Sequence, residues 1–275
     1  MVRVALAQIE CEVGNKKQNL EHMEEFIEKA TGKKADLIVF PELALTGYLC
    51  RDLIYELAEP IPTGPSTERI IELAKKHEVY IVFGMPERSE KIPSVIYNSS
   101  VFVGPEGFIG RYRKMFLPTH SVFEEKRYFR PGFEANVFRT EIGRIGLMIC
   151  YDVYFPEVAR LLSFKGAQMI VCISASPAVR RTYFEILLSA RAVENCVFVS
   201  YVNLVGLENG LQFWGGSRLI SPNGDLIAKA KYYEEDLVVA EVDYGEAARA
   251  GIFVPTLRDV RPELYDSLKN ESEKI

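Results

Sequence analysis

The stretch Ser99–Lys114, SSVFVGPEGFIGRYRK, decides how the rest of the chain is read. Two short apolar–polar runs flank Pro105-Glu106-Gly107, the pattern of antiparallel strands joined by a turn. About 115 positions later the design returns as GGSRLISPNGDLIAKAKYY, Gly215–Tyr233, now turning at Pro222-Asn223-Gly224. One such hairpin belongs to one sheet. Two of them, each following a segment of alternating strands and helices, predict two similar sheets packed together.

The segments before each hairpin support this. VRVALAQI reads as a strand, and Asn15 after Gly14 reads as a helix cap with Gln18 in the position of a capping-box partner. Leu20, Met23, Ile27 and Ala30 then share one helical face that stops at Gly32. ADLIVFPE is an apolar strand broken by Pro41, STERIIELAKKH a helix expected to be capped by Ser66, and VYIVFGMPE another strand. Between the hairpins, RIGLMIC, AQMIVCIS and VFVSYVNLVG read as strands, and PEVARLLSFKG and TYFEILLSARAVENC as helices. The expectation is an α/β protein with helices packed on sheets. No linker or shift in composition divides it, so residues 1–275 read as a single domain. The polar, Pro-containing stretch from about 252 to 275 reads as a C-terminal arm whose last residues fray.

The chain is 48% hydrophobic and 26% charged, enough to fill a large core. Its net charge of −5 argues against a general nucleic-acid or membrane-surface binder. The first residues lack the features of a signal peptide, and no apolar run approaches the roughly 18 residues of a membrane span. Five scattered cysteines without a C-x-x-C pair suggest a reducing compartment and no cysteine zinc site. A cytoplasmic protein is therefore expected. H-E-x-x-H, Walker and G-x-G-x-x-G patterns are absent.

Chemistry is first suggested by RIGLMICYDVYFPE, Arg144–Glu157, where Cys150 stands at the end of an apolar strand. That place suits a nucleophile, although a buried structural cysteine is the ordinary reading. The three histidines offer no obvious base: His22 and His77 lie on charged helical faces, and His120 sits in a loop that can line a cleft. Another base would then be needed. Glu42 ends the run LIVFPE, and Lys114 closes the first hairpin before MFLP. Taken singly, the glutamate reads as a turn residue and the lysine as a solvated charge.

Taken together, FPELALTGY, GRYRKMFLP and GLMICYDVYFPE resemble the three signature segments of the nitrilase superfamily, the carbon–nitrogen hydrolases, in the order Glu, Lys, Cys. The likeness extends from VALAQIECEVGNKKQNL to LRDVRPELY. It implies a four-layer α-β-β-α sandwich with two mixed sheets face to face. It also implies homodimers or higher homo-oligomers that pair through the Cys-bearing face and trade C-terminal arms. Cys150 becomes the nucleophile, Glu42 the general base and acid, and Lys114 the stabiliser of the oxyanion. In FEEKRYFRPG a further glutamate, Glu125 with Glu124 as the alternative, orients the lysine and helps position substrate. The backbone N–H of Tyr151 can share the oxyanion. Burial would raise the glutamate and Lys114 would favour the thiolate, so Cys150 and Glu42 are expected to share a proton. No metal or organic cofactor is needed.

Nitrile-cleaving members usually carry Trp-Glu after the cysteine, whereas this chain has Tyr151-Asp152, more like amidases and carbamoylases. PELALTGY, VFEEKRYFRPG, ISASP and YVNLVGLENGLQFWGGS also resemble the glutaminase domain of glutamine-dependent NAD synthetase. Tyr151 departs from the glutamate usual there, and the sequence carries no ATP-using synthetase domain. A hydrolase of small amides or N-carbamoyl compounds is the expectation. The alternatives are an ammonia-supplying glutaminase subunit, a nitrile hydrolase, and a scaffold that keeps the fold without the reaction. Tyr48 and Ser176 are candidate pocket residues. Phe155 and Trp214 lie in segments that approach the same strand ends but read first as core packing, and Arg180 and Arg181 either bind a substrate carboxylate or face solvent.

Overall fold

Both hairpins form, and each closes one side of its own six-stranded sheet. The computed structural model describes residues 1–274; Ile275, the end of the expected arm, lies outside the described residues. In chain order the elements are β1 (Val2–Gln8), α1 (Lys16–Gly32), β2 (Leu37–Val39), α2 (Pro65–His77), β3 (Tyr80–Arg88), β4 (Ile96–Gly104) and β5 (Gly107–Arg113). There follow β6 (Val137–Thr140), β7 (Gly143–Ile149), α3 (Pro156–Phe164), β8 (Met169–Ser174), α4 (Arg181–Asn195) and β9 (Phe198–Asn203). The remainder is β10 (Val205–Glu208), β11 (Leu211–Trp214), β12 (Arg218–Ile220), β13 (Leu226–Lys229), β14 (Asp236–Val242), α5 (Tyr244–Phe253) and α6 (Pro262–Ser272).

The first sheet runs β14-β1-β2-β3-β4-β5 and the second β6-β7-β8-β9-β12-β13. In each, three central strands are parallel, a hairpin continues antiparallel on one side, and a lone antiparallel strand closes the other. The same sheet is therefore built twice. Alternation along β1 shows how the layers form. Val4 and Leu6 join Leu37, Val82, Phe102 and Tyr112 in one buried cluster with Ile145 and Leu147 of the second sheet. Ala5 and Ala7 pack the other way, under Met23 and Ile27 of α1 and Ile70 and Leu73 of α2. Val158 and Leu162 of α3, with Leu188 and Ala192 of α4, cover the second sheet. The product is a four-layer α-β-β-α sandwich whose central strands are buried on both faces, which explains their unbroken apolar sequences.

Local expectations hold with corrections. Asn15 caps α1, accepting from Gln18 N at 3.2 Å, but the Gln18 side chain meets the Asn15 amide at 3.1 Å instead of reaching back to the backbone. Ser66 does not cap α2. Pro65 takes the first helical position, where it loses no hydrogen bond, and both Ser66 N and Ser66 Oγ donate to Glu59 at 2.9 Å. VFVSYVNLVG is not one strand: Leu204 N still bonds Ser174 O of the second sheet, whereas Val205 N turns to Ile9 O beside the first. The chain crosses between sheets there and forms the separate hairpin β10–β11. No side chain of α6 is buried in the single chain. Among the described residues, no helix is long and apolar enough to cross a membrane.

Candidate active site

Strands β2, β5, β7 and β8 all end at the same rim of the sandwich, and the residues just after them meet there. Phe40 continues the pairing of β2 through its bond to Val82 O, and Pro41 then ends the strand. The turn is so tight that a Cβ on Gly84 of β3 would lie 2.7 Å from the Glu42 Cα, so this position requires glycine. Glu42 is fully buried. Its Oε1 accepts from Asn98 Nδ2 and from Lys114 Nζ, both at 2.7 Å, and its Oε2 accepts from Ala175 N at 2.7 Å. Asn98 lies in β4 and Ala175 follows β8, so one carboxylate spans the two sheets.

Lys114 leaves β5 with its backbone fixed by Asn98 O and Gly132 N. Its Nζ lies 2.7 Å from Glu42 Oε1 and 2.7 Å from Glu125 Oε1, with no exposure. Glu125, not Glu124, makes the contact; it opens a short helical turn and also accepts from the Tyr48 hydroxyl at 2.6 Å. Its Oε2 is buried and has no partner. Burial opposes the ammonium of Lys114, but Glu125 and Glu42 outweigh it and hold its pKa well above the usual lysine value. Burial also pushes Glu125 up to about 7 despite the pull of Lys114. Two carboxylates against one cation give the cluster a spare negative charge, able to take a proton.

Cys150 follows β7 with φ of +45°, in the left-handed region that strains a side chain. The turn is held by Asp152, whose carboxylate accepts from Ile149 N at 3.0 Å, Phe116 N at 2.9 Å and the Tyr112 hydroxyl at 2.8 Å. Asp152 thus ties the cysteine turn to the segment just after Lys114. Burial raises its own pKa to about 6. The Cys150 thiol is pushed well above its ordinary pKa, by burial first and by Glu42 second, with Lys114 and Ser174 pulling the other way. Lys114 thus favours the thiolate as expected, but burial and Glu42 outweigh its pull.

The other predicted residues are placed as follows. Tyr48 belongs to the cluster through Glu125. Ser176 follows Ala175; its N donates to Asn203 Oδ1 at 2.7 Å, and its hydroxyl is buried without a partner. Tyr151 sits in the helical turn after Cys150, with its ring 5.4 Å from His120. His120, Tyr151, Phe116 and Phe155 line a cleft of about 630 Å³, where Phe155 stacks on Phe116 at 3.5 Å. Trp214 is core, stacked near Tyr201. Arg180 lies 5.8 Å from the Tyr183 ring and Arg181 5.0 Å from the Tyr232 ring. A second cavity, of about 280 Å³, is lined by Tyr48, Glu125, Val122, Tyr128 and Leu211. Among the described residues no group of three or more His, Cys, Asp or Glu side chains is arranged for a metal ion.

Sequence reasoning missed Asn98, the Ala175 N–H and the tie made by Asp152. Asn98-Ser99-Ser100 did carry a signal, since three polar residues in a row inside a buried strand demand partners.

The family model for carbon-nitrogen hydrolases matches residues 3–251. A Pyrococcus abyssi protein described as a nitrilase is 39% identical over 247 residues, covering 88% of this chain and 90% of that protein. The 2-oxoglutaramate amidase of Bacillus subtilis is 34% identical, covering 95% and 98%. The glutamine-dependent NAD(+) synthetase of Aquifex aeolicus is 35% identical over 90% of this chain, which spans only 44% of that protein. Among solved structures, a mutant of the amidase from Nesterenkonia sp. AN1, carrying acrylamide added at its active-site cysteine, superposes with a TM-score of 0.86 at 26% identity over 98% of this chain and all of that one.

Proposed function

The chain belongs to the carbon–nitrogen hydrolase family, and from that membership we propose that it hydrolyses a small linear amide or N-carbamoyl compound through a thioester on Cys150. The observation that carries the reading is the buried Lys114, held at 2.7 Å from each of Glu42 and Glu125 beside a buried thiol. Desolvating three charges is expensive, and one cation does not neutralise two carboxylates. Such a cluster is suited to holding and moving a proton.

Glu42 takes the Cys150 proton as sulfur attacks the amide carbon, and the carbonyl electrons move onto oxygen. Lys114 and the Tyr151 N–H, which lies in a first helical turn where such groups lack intrahelical partners, receive that oxyanion. The tetrahedral species collapses as Glu42 passes the proton to the leaving nitrogen, and the carbon–nitrogen bond breaks. Water then attacks the thioester, Glu42 takes its proton, and the acid leaves as the thiolate is reprotonated. Glu125 fixes Lys114 by one oxygen and has Oε2 free for the substrate amide. Tyr48 and Ser176 complete the pocket. The amidase with an adduct on its cysteine and the 2-oxoglutaramate amidase favour an amide over a nitrile.

Ammonia release from amides, N-carbamoyl amino acids, nitriles and glutamine tests the proposal. Turnover of linear amides or carbamoyl compounds, well above nitriles, is the expected result. Strong glutamine preference would instead favour an ammonia-supplying subunit, and silence with an alkylation-inert thiol would favour a scaffold.

The pH dependence has a definite sign. Glu125 must be ionised to hold Lys114 and the Tyr48 hydroxyl together, so kcat/KM rises with pH through about 7. Stability moves the other way. Between the ordinary 4.5 and about 7 the folded chain keeps a proton that the unfolded chain releases, so this group's contribution to stability falls as pH rises. A pH–rate profile and melts at pH 5 and 8 check both, and Glu125→Gln should remove the acid limb.

A homodimer is the working assembly we favour, because Leu161 and Phe164 on α3 and Tyr183 and Ile186 on α4 expose apolar side chains in the single chain. Five unpaired cysteines fit a cytoplasmic setting.

A further inference from the structure

Glu208 ends β10, outside the cluster of Glu42, Lys114, Glu125 and Cys150, yet its carboxylate is almost wholly buried. The hydrogen bonds it accepts come from backbone. Tyr48 N donates to both oxygens, at 3.1 and 2.9 Å, and Leu49 N donates to Oε2 at 2.8 Å. The Gly47–Leu49 segment curls so closely around this carboxylate that a Cβ on Gly47, where φ is +75°, would lie 3.2 Å from Glu208 Oε1. Burying a carboxylate on amide donors alone is costly, and Glu10 nearby adds repulsion. A neutral residue would close a hairpin more cheaply.

What the clamp holds is the base of Tyr48. From its hydroxyl the line of contacts is continuous: 2.6 Å to Glu125 Oε1, 2.7 Å from that oxygen to Lys114 Nζ, and 2.7 Å on to Glu42 Oε1. The same hairpin places Asn209, Gly210 and Leu211 in the wall of the cavity that reaches Glu125. We propose that Glu208 is a positioning residue for amide hydrolysis: by gripping the Tyr48 and Leu49 amides it fixes the Tyr48 hydroxyl on Glu125 and makes the orientation of Lys114 depend on where the β10–β11 hairpin sits. This rests on the hydrolase reading above.

The test is a double-mutant cycle on the intact chain. Wild type, Glu208→Gln, Tyr48→Phe and the double variant are compared for kcat and KM on the best amide of the panel, and for the rate of Cys150 alkylation by iodoacetamide. Glu208→Gln keeps the shape but removes the charge and leaves one acceptor oxygen, so its NH2 faces the Tyr48 N–H that both carboxylate oxygens now accept from. It should lower kcat/KM about tenfold or more, chiefly in kcat, as expected for a misplaced catalytic group. In the Tyr48→Phe background the same change should cost nothing further, because its target is gone. Effects that multiply in the double variant, or a Glu208→Gln enzyme equal to wild type, would overturn the proposal. Thermal melts identify a variant that fails to fold; Glu208→Asp, which keeps the charge but is one methylene short, then takes its place in the same cycle. If wild type cleaves none of the amides, the hydrolase reading falls, and the alkylation rates alone decide whether Glu208 acts through Tyr48.

Discussion

Cys150→Ala abolishes ammonia release, by about four orders of magnitude or more, and leaves a folded protein. The magnitude follows from the chemistry. Without sulfur no thioester forms, and what remains is water in a site whose donors are set for a different attacking atom; loss of a nucleophile from a comparable enzyme costs about a millionfold. The fold should survive because the change removes one buried sulfur, a loss of about 1–2 kcal/mol, while Asp152 still ties the turn to Ile149 N, Phe116 N and the Tyr112 hydroxyl. Alanine inherits the strained φ of +45° unchanged. An ammonia assay with a thermal melt of the same sample checks both halves. Mass spectrometry of rapidly denatured enzyme should show an acyl adduct on wild type and none on the variant. Persistent turnover in Cys150→Ala would remove the cysteine from the reaction.

Lys114→Met should be the most destabilising change in the site, costing about 3–5 kcal/mol, and should also reduce activity at least about a thousandfold. The two losses have separate causes. Stability falls because Glu42 and Glu125 remain buried without the cation that bonds both. Activity falls because the developing oxyanion loses its charged donor. Adding Glu125→Gln separates them. With one carboxylate neutralised, much of the stability returns, while the activity does not. Urea unfolding of the single and double variants, read beside their kcat/KM values, tests this. A double variant as active as wild type would show that Lys114 serves the fold alone.

Much of the architecture was legible because hairpin turns and apolar runs are local signals. SPNG and GPEG mark their turns in the sequence, and RIGLMI needs no partner to read as a buried strand. The break at Leu204 was not legible, since it depends on Val205 finding Ile9 across the sandwich. Glu42, Lys114 and Cys150 could be named only through the family resemblance that their flanks carry together, and the structure brings the first two to 2.7 Å. Their supports could not. Asn98, Ala175 and Glu208 act through distances spanning 56, 133 and 160 positions of sequence, and nothing local announces such partners. The pull of Lys114 on the thiol was legible, but the larger effect of burial was not, because it depends on the whole surrounding wall.

The pairing of β1 with β14 joins Val2 to Val242 along seven register positions. During synthesis, therefore, the first sheet waits with one flank unpaired until β14 has been made, while the second can complete itself from neighbouring segments. Glu42 is translated 133 positions before Ala175, whose N–H its Oε2 needs as a donor. A nascent chain that has passed Ala175 but not β14 thus holds the partners of Glu42 on a first sheet whose flank is still open, so the site's own contacts can form before the scaffold around them closes.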